Sequence, residues 1–308
     1  MIARRLLAVG LAAAVAASFA VTRAPAQDSG AHKIKAVATI SIIGDLVRNV
    51  GGDRVAVATL VGSNADAHVY SPTPGDVRTV AAANVVFVNG LGLEGWMTRL
   101  VTASGTKARP VVVTAGIDPR RMADEAHPGR TVVDPHAWQS VADAKIYVAN
   151  IRAGLAAVDP AGTAVYAANA AAYLARLDAL EQEVRSAIAG IPAERRKIIT
   201  THDAFGYFGA AYGMSFVALE GISTETESSA KDVAKIITQI RKRKIPAVFL
   251  ENVTDPRLME QIARETGARI GGKLYSDALS EPNGPAATYI DMMQHNIREF
   301  AKALGGGA

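Results

Sequence analysis

A long helical segment in the middle of the chain constrains the fold more than any other feature. Residues Ala161–Ile188 are dense in Ala, Leu, Glu and Arg, and they lie between Asp159-Pro160 on one side and Gly190 and Pro192 on the other. At 1.5 Å per residue such a helix is on the order of 40 Å long, which is the span of a small domain. We therefore predict a rigid backbone helix that joins two lobes. An ordinary surface helix within one larger domain is the alternative.

Short apolar runs alternate with helical stretches on both sides of this segment. The predicted strands are Lys35–Ile40, Arg54–Val61, Asn84–Val88, Val111–Thr114, Lys197–Thr200, Ser215–Leu219, Pro246–Leu250 and Arg269–Tyr275. Apolar strands separated by helices are typical of parallel sheets. The pattern predicts an α/β fold of two βα lobes with parallel sheets, joined by one long rigid backbone helix. The predicted divisions are an N-terminal lobe at 27–158, the linking helix at 159–192 and a C-terminal lobe at 193–308.

The first 26 residues have the pattern of a secretory signal peptide. Arg4 and Arg5 precede the apolar run Leu6–Val21, and Ala24-Pro25-Ala26 has the small-residue form of a cleavage site. We predict cleavage after Ala26 and a periplasmic mature protein. The alternative is a retained membrane anchor, but the apolar run is shorter than the roughly 20 residues that a membrane-spanning helix needs. A lipoprotein would need a cysteine at the cleavage site, and the chain contains none.

Charge and cysteine content exclude several classes of function. Removing residues 1–26 takes away three arginines and no acidic residue, which lowers the formal net charge from +4 to +1. A nearly neutral protein gives no argument for binding to nucleic acid or to a membrane surface. Without cysteine there are no disulfides, so stability comes from burial, and any transition-metal site is built from nitrogen and oxygen. We expect a monomer.

Four side chains with metal-binding chemistry occupy loops that follow predicted strands: His68, His136, His202 and Asp277. Ligands of parallel sheets gather beyond the carboxyl ends of the strands. Two of the four precede the long helix and two follow it, so a shared ion would lie between the lobes. Three imidazoles and one carboxylate complete a tetrahedral shell, although a single loop histidine is more often a surface residue. Asp203 is predicted to cap the following helix, with a role as partner of His202 as the alternative.

The sequences around these residues resemble the cluster A-I metal-binding proteins of ABC importers (the ZnuA/TroA type). The matching motifs are Asp66-Ala67-His68-Val69-Tyr70, Asp134-Pro135-His136-Ala137-Trp138, Thr201-His202-Asp203-Ala204-Phe205-Gly206-Tyr207-Phe208 and Leu274-Tyr275-Ser276-Asp277-Ala278-Leu279, with Gly221–Thr224 and Tyr289–Asn296. The resemblance implies two βα lobes joined by one long helix. It also implies that His68, His136, His202 and Asp277 are the metal ligands, and that the partners are an inner-membrane ABC permease and its ATPase.

The ligand set favours zinc over manganese. The manganese branch of this family commonly has a glutamate as third ligand, and this chain has His202. Three imidazoles suit Zn(II), whereas Mn(II) prefers oxygen-rich sites and is the second choice. Zinc importers of the family often carry a long His-rich loop, but Asp118–Thr131 holds only His127. The missing histidines leave open that a periplasmic metallochaperone loads the protein.

Two other function classes are alternatives to transport. A zinc-dependent periplasmic hydrolase would keep an open metal position for water, but four protein ligands close the shell, and no HExxH or nucleophile motif is present. We therefore predict no catalytic residue. A haem or siderophore-iron binding protein would share the two-lobe plan. For a zinc site, we expect metal affinity to fall as the pH drops through about 6.5, the usual imidazole pKa.

Overall fold

The structure, a computed structural model, describes residues 33–123, 129–224 and 229–305. The predicted signal peptide with its cleavage after Ala26 lies outside the described residues, and so does His127. In the described part of the chain, no helix is both long enough and apolar enough to cross a bilayer.

The first half forms a parallel four-stranded sheet covered by helices. Its elements are β1 (Ile34–Ile40), α1 (Ser41–Gly51), β2 (Val55–Val61), α2 (Pro74–Ala81), β3 (Val85–Val88), α3 (Met97–Ser104) and β4 (Pro110–Val112). The strand order is β2-β1-β3-β4, and each neighbouring pair is parallel. The predicted parallel sheet is confirmed.

Next comes a short antiparallel pair of strands, which the sequence pattern does not predict. Strand β5 (Arg121–Ala123) pairs with β6 (Thr131–Val133), and helices α4 (Val141–Val158) and α5 (Thr163–Ala189) come next. His136 therefore follows an antiparallel strand and not the last parallel strand of the first half. The reason is local: two three-residue strands within a charged stretch carry too little hydrophobic periodicity to be recognised.

The second half repeats the plan of the first. Its elements are β7 (Lys197–Thr200), α6 (Gly206–Tyr212), β8 (Ser215–Ala218), α7 (Ala230–Arg243), β9 (Ala247–Glu251), α8 (Arg257–Thr266), β10 (Arg269–Leu274) and α9 (Tyr289–Leu304). The strand order β10-β9-β7-β8 is again all parallel. In each sheet the first strand is internal and lies between the second and the third, so the two halves share one topology.

Four of the helices begin with the same sequence device. A Ser or Thr at the N-cap accepts a hydrogen bond from the backbone N–H of an Asp three residues later, in the pairs Thr73/Asp76, Ser140/Asp143, Ser229/Asp232 and Thr288/Asp291. Each such cap satisfies a backbone donor that the helix leaves free, and it stabilises the helix by about 1 kcal/mol. The caps set where α2, α4, α7 and α9 start.

The long helix α5 is packed along its length against both halves. It contacts α1 and α4 from the first half and α6 and α9 from the second. Its buried residues recur every three or four positions, as for a helix with one apolar face: Tyr166, Ala170, Tyr173, Leu177, Leu180, Glu181, Val184 and Ile188. The predicted long helix is confirmed, and it packs against four other helices, two from each half of the chain.

One large hydrophobic core runs through both halves. It includes Val37 and Phe87 of the first sheet, Leu177 of α5, and Phe249 and Phe300 of the second half. A smaller cluster around Ile199, Val248 and Met259 lies in the second half alone. The continuous core fixes the two sets of strand ends relative to one another, which positions the loops described next.

Candidate metal centre

His68 lies in the loop between β2 and α2, and three contacts shape that loop. The His68 backbone N–H donates to Asp66 Oδ1 at 2.8 Å, which forms a local turn. Trp96 Nε1 donates to the Ala67 carbonyl at 3.0 Å, and Thr224 Oγ1 donates to Asp66 Oδ2 from the second half. These bonds turn the His68 side chain inward, where it is 5% exposed.

His136 follows β6 and is fully buried. Its backbone N–H donates to Asp134 Oδ1 at 3.0 Å, and its ring Nδ1 lies 2.8 Å from the same oxygen. Asn89, at the end of β3, donates from Nδ2 to the Pro135 carbonyl at 2.9 Å. The histidine is therefore held by its own neighbour Asp134 and by the end of a parallel strand.

His202 follows β7 and is also fully buried. Glu251, the last residue of β9, accepts through Oε1 from the backbone N–H groups of Thr201 (2.8 Å) and His202 (3.0 Å). Its other oxygen, Oε2, lies 2.6 Å from His202 Nδ1. One carboxylate thus holds both the backbone and the ring of this histidine.

Asp277 follows β10, and its loop is tied to the loop of His136. The Ser276 carbonyl accepts from Trp138 Nε1 and from Gln139 Nε2, each at 2.8 Å. Asp277 itself is 1% exposed, and in the part of the chain that the structure describes its Oδ1 has no hydrogen-bond partner. A buried carboxylate oxygen without a partner fits a position where a cation belongs.

The structure brings the four predicted side chains together. One potential ligand atom from each of His68, His136, His202 and Asp277 lies within 4.8 Å of the other three. His68 Nε2 is 3.2 Å from His136 Nε2 and 3.2 Å from Asp277 Oδ2, and His202 Nε2 is 3.1 Å from that oxygen. Ligand atoms about 2.0–2.1 Å from a tetrahedral zinc would be roughly 3.4 Å apart. The arrangement could therefore hold one such ion.

The charges in this centre shift several pKa values. Burial favours the neutral form of Asp277, but the charges of His202 and His136 outweigh burial and hold the Asp277 pKa well below its usual value. Burial alone would lower the pKa of His136, yet Asp277 and Asp134 raise it to about 9. The pKa of His202 is also raised, against burial, by Glu251 and Asp277. The metal-free centre therefore attracts protons, and a bound cation has to displace them.

Several residues that shape the site are not predicted by the sequence pattern. Glu251, Asn89, Trp96 and Gln139 each contact a ligand or the backbone beside one. The sequence shows that Glu251 is an acid at the end of an apolar strand, but only the pairing of β9 with β7 places it beside His202. The expected cap at Asp203 is wrong, because α6 starts at Gly206 with Phe205 as its N-cap and without a side-chain capping bond.

Comparison with known proteins identifies the family. Residues 36–303 match the family described as zinc-uptake complex component A, periplasmic. The iron-binding protein YfeA of Yersinia pestis is 37% identical over 275 residues, which are 89% of this chain and 88% of that protein. The manganese-binding lipoprotein MntA of Halalkalibacterium halodurans is 35% identical over 283 residues, 91% of this chain and 92% of that protein.

A solved structure agrees with the sequence matches. The periplasmic zinc-binding protein TroA from Treponema pallidum superposes with a TM-score of 0.83 at 33% identity, covering 89% of this chain and 100% of that one. The family expected from the motifs is confirmed, and transport is favoured over the hydrolase alternative. The chain belongs to the ZnuA/TroA family, whose members are metal-binding substrate-binding proteins of ABC importers and not enzymes.

Proposed function

We propose that this protein captures Zn(II) between His68, His136, His202 and Asp277 and delivers it to an ABC permease that works with its ATPase. The observation that carries the proposal is the convergence of three imidazole Nε2 atoms and one carboxylate on a common buried centre. Four protein donors leave no open position for water in a tetrahedral shell, which suits capture and release of an ion rather than turnover.

The donor chemistry supports zinc as the cargo. A site with three nitrogen donors binds zinc more tightly than manganese, since affinity along the divalent series rises strongly from manganese towards zinc and copper. Manganese stays the second choice for a structural reason. Asp277 Oδ1 lies 3.6 Å from His136 Nε2 and faces the centre, so both oxygens of this carboxylate are available to a larger ion.

Competition titration tests both the site and the metal. Elemental analysis of the purified protein and titration with Zn(II) and Mn(II) against a chelator should give tighter zinc binding. His202→Ala should weaken zinc binding by more than the 10–100-fold that loss of an outer partner costs. His295→Ala is the matched control, because His295 contacts the Lys273 carbonyl and lies outside the set of four. Equal zinc affinity in His202→Ala and His295→Ala would refute the assignment.

The cellular setting is proposed with the same site. Residues 1–26 are a signal peptide removed after Ala26, and residues 27–158, 159–192 and 193–308 are the N-terminal lobe, the linking helix and the C-terminal lobe of a periplasmic monomer. The composition of the first 26 residues supports export. Mass spectrometry of the protein isolated from the periplasm should give a chain that starts at Gln27.

Loading by a metallochaperone is proposed as well. It predicts that the metal-free protein takes up zinc faster when periplasmic extract is added.

A further inference from the structure

Two buried carboxylates, Glu251 and Asp134, contact the Nδ1 atoms of His202 and His136. The two contacts differ in geometry. We propose that Glu251 is a positioning residue that sets the orientation and the tautomer of His202, so that Nε2 faces the centre of the site. Asp134 likewise orients the ring of His136, but it does so with one carboxylate oxygen and not two. The inference rests on the proposed function, since it concerns how that ligand set is prepared for a metal.

The contact of Glu251 with His202 involves both carboxylate oxygens. Oε1 accepts from two backbone N–H groups, and Oε2 lies 2.6 Å from the ring Nδ1. Among the described residues, neither Oε2 nor Nδ1 makes a hydrogen bond of regular geometry, so their 2.6 Å approach is a close ion-pair contact between two buried atoms. A carboxylate oxygen only accepts, so this contact requires the ring proton on Nδ1 and leaves the Nε2 lone pair for a metal.

The sheet itself places these two residues side by side. Strands β7 and β9 are parallel neighbours, with Ile199 opposite Val248. His202 and Glu251 each lie three residues beyond this pair, at the carboxyl ends of the strands. Because the same side chain holds the backbone and the ring of His202, the ring cannot turn away without giving up a buried contact.

Asp134 uses a single oxygen where Glu251 uses two. Its Oδ1 accepts from the His136 backbone N–H and contacts the His136 ring Nδ1. Its Oδ2 has no hydrogen-bond partner among the described residues, and it lies 3.7 Å from Arg120 Nε. Of the two Asp134 oxygens, Oδ1 alone contacts His136. The amide oxygen of an asparagine could make the same two contacts.

This difference gives two matched variants that remove the same charge. In Asp134→Asn the amide oxygen can take the place of Oδ1 and keep both contacts. In Glu251→Gln no orientation of the amide is satisfactory. Either its NH₂ faces Nδ1 and moves the ring proton to Nε2, where the metal should bind, or its NH₂ faces the two backbone N–H donors. A role through charge alone predicts similar losses, and a positioning role predicts unequal ones.

The experiment measures zinc affinity and the protonated ring nitrogen in each variant. We expect Glu251→Gln to weaken zinc binding about 100-fold and Asp134→Asn about 10-fold or less, within the range for outer partners of metal-bound histidines. Long-range ¹H–¹⁵N spectra of the zinc-loaded, ¹⁵N-histidine-labelled proteins should lose the Nδ1–H pattern of His202 in Glu251→Gln. The His136 pattern should persist in Asp134→Asn.

The controls separate this inference from the proposed function. In a His202→Ala background, Glu251→Gln should cause no further loss of affinity. Circular dichroism reports folding; if Glu251→Gln does not fold, Glu251→Asp replaces it, because the shorter side chain cannot reach both the backbone and the ring, and at least a 10-fold loss is expected. Equal losses in the matched variants, or an unchanged His202 pattern, would overturn the inference alone. A wild-type protein without zinc affinity would overturn the proposed function.

Discussion

Asp277 is the one carboxylate among the four side chains, and its surroundings explain its charge. Burial would favour a neutral carboxyl, yet the charges of His202 and His136 keep its pKa well below the usual value. The same pairing raises the pKa of His136 to about 9, against the effect of burial. In the metal-free site the raised pKa values of His136 and His202 favour protons on these two rings beside an ionised Asp277, and a metal ion would compete with those protons for the ring nitrogens.

Zinc affinity should therefore depend on pH over a higher range than free histidine suggests. The metal-free protein keeps a proton on His136 up to about pH 9, and zinc must displace it. We expect the apparent affinity to rise at least about tenfold per pH unit between pH 6.5 and 8.5. Competition titrations at several pH values measure this slope. An affinity that levels off above pH 7 would instead support an unshifted imidazole and the expectation drawn from sequence.

The sequence predicted that four side chains would cluster, but it did not predict most of the residues that hold them in place. His68, His202 and Asp277 each follow a recognisable apolar strand, so their shared location follows from the rule for parallel sheets. Glu251 is different, because its role depends on which strands are neighbours and in what register, here Ile199 opposite Val248. Strand order is a property of the folded sheet that a single strand's sequence does not carry.

At the scale of elements, hydroxyl and carboxyl groups join the helices around α5. Tyr212, the last residue of α6, donates to Glu181 Oε2 of α5 at 2.7 Å and accepts from the Val141 backbone N–H at the start of α4 at 3.1 Å. Both Tyr212 and Glu181 are buried. The Tyr212 hydroxyl thus connects α4, α5 and α6. Of these helices, α4 and α6 contact the turn Ala137–Gln139, which directly follows His136.

Removing this hydroxyl should destabilise the protein. Tyr212→Phe leaves Glu181 Oε2 and the Val141 N–H without the hydroxyl, while Glu181 Oε1 keeps its ion pair with Arg185, and we expect a cost of about 1–3 kcal/mol in the free energy of unfolding. Chemical denaturation of the metal-free protein measures the difference. Pairing the change with Glu181→Gln in a double-mutant cycle isolates the contact, and strictly additive effects would show that the two side chains do not act together.

The sequence pattern predicts the boundaries of some helices and strands well and those of others poorly. Strand β7 is predicted at Lys197–Thr200 and found there, because its apolar run is sharply bounded. Helix α3 starts only at Met97, because the turn before it contains Leu91 and Gly92 with positive φ. The antiparallel pair of β5 and β6 escapes prediction, as three-residue strands have no measurable period.

The whole molecule is two copies of one sheet plan that share a core. Both sheets have the same strand order, and the core is continuous from Val37 of β1 to Phe300 of α9. Two of the four clustered side chains lie before α5 in the chain and two lie after it. An ion bound by all four would therefore link both halves of the chain, and its binding energy would stabilise the entire molecule.

Zinc should raise the melting temperature of the wild-type protein. A ligand that binds only the folded state at 100 times its Kd stabilises it by about 2.7 kcal/mol, and for a chain of this size that corresponds to a shift of roughly 5–10 °C. Thermal unfolding with increasing zinc, after removal of metal by a chelator, measures the effect. Magnesium prefers octahedral oxygen sites and should give no comparable shift. Equal shifts with the two ions, or a full zinc shift in His202→Ala, would mean that zinc stabilises the protein somewhere other than at these four side chains.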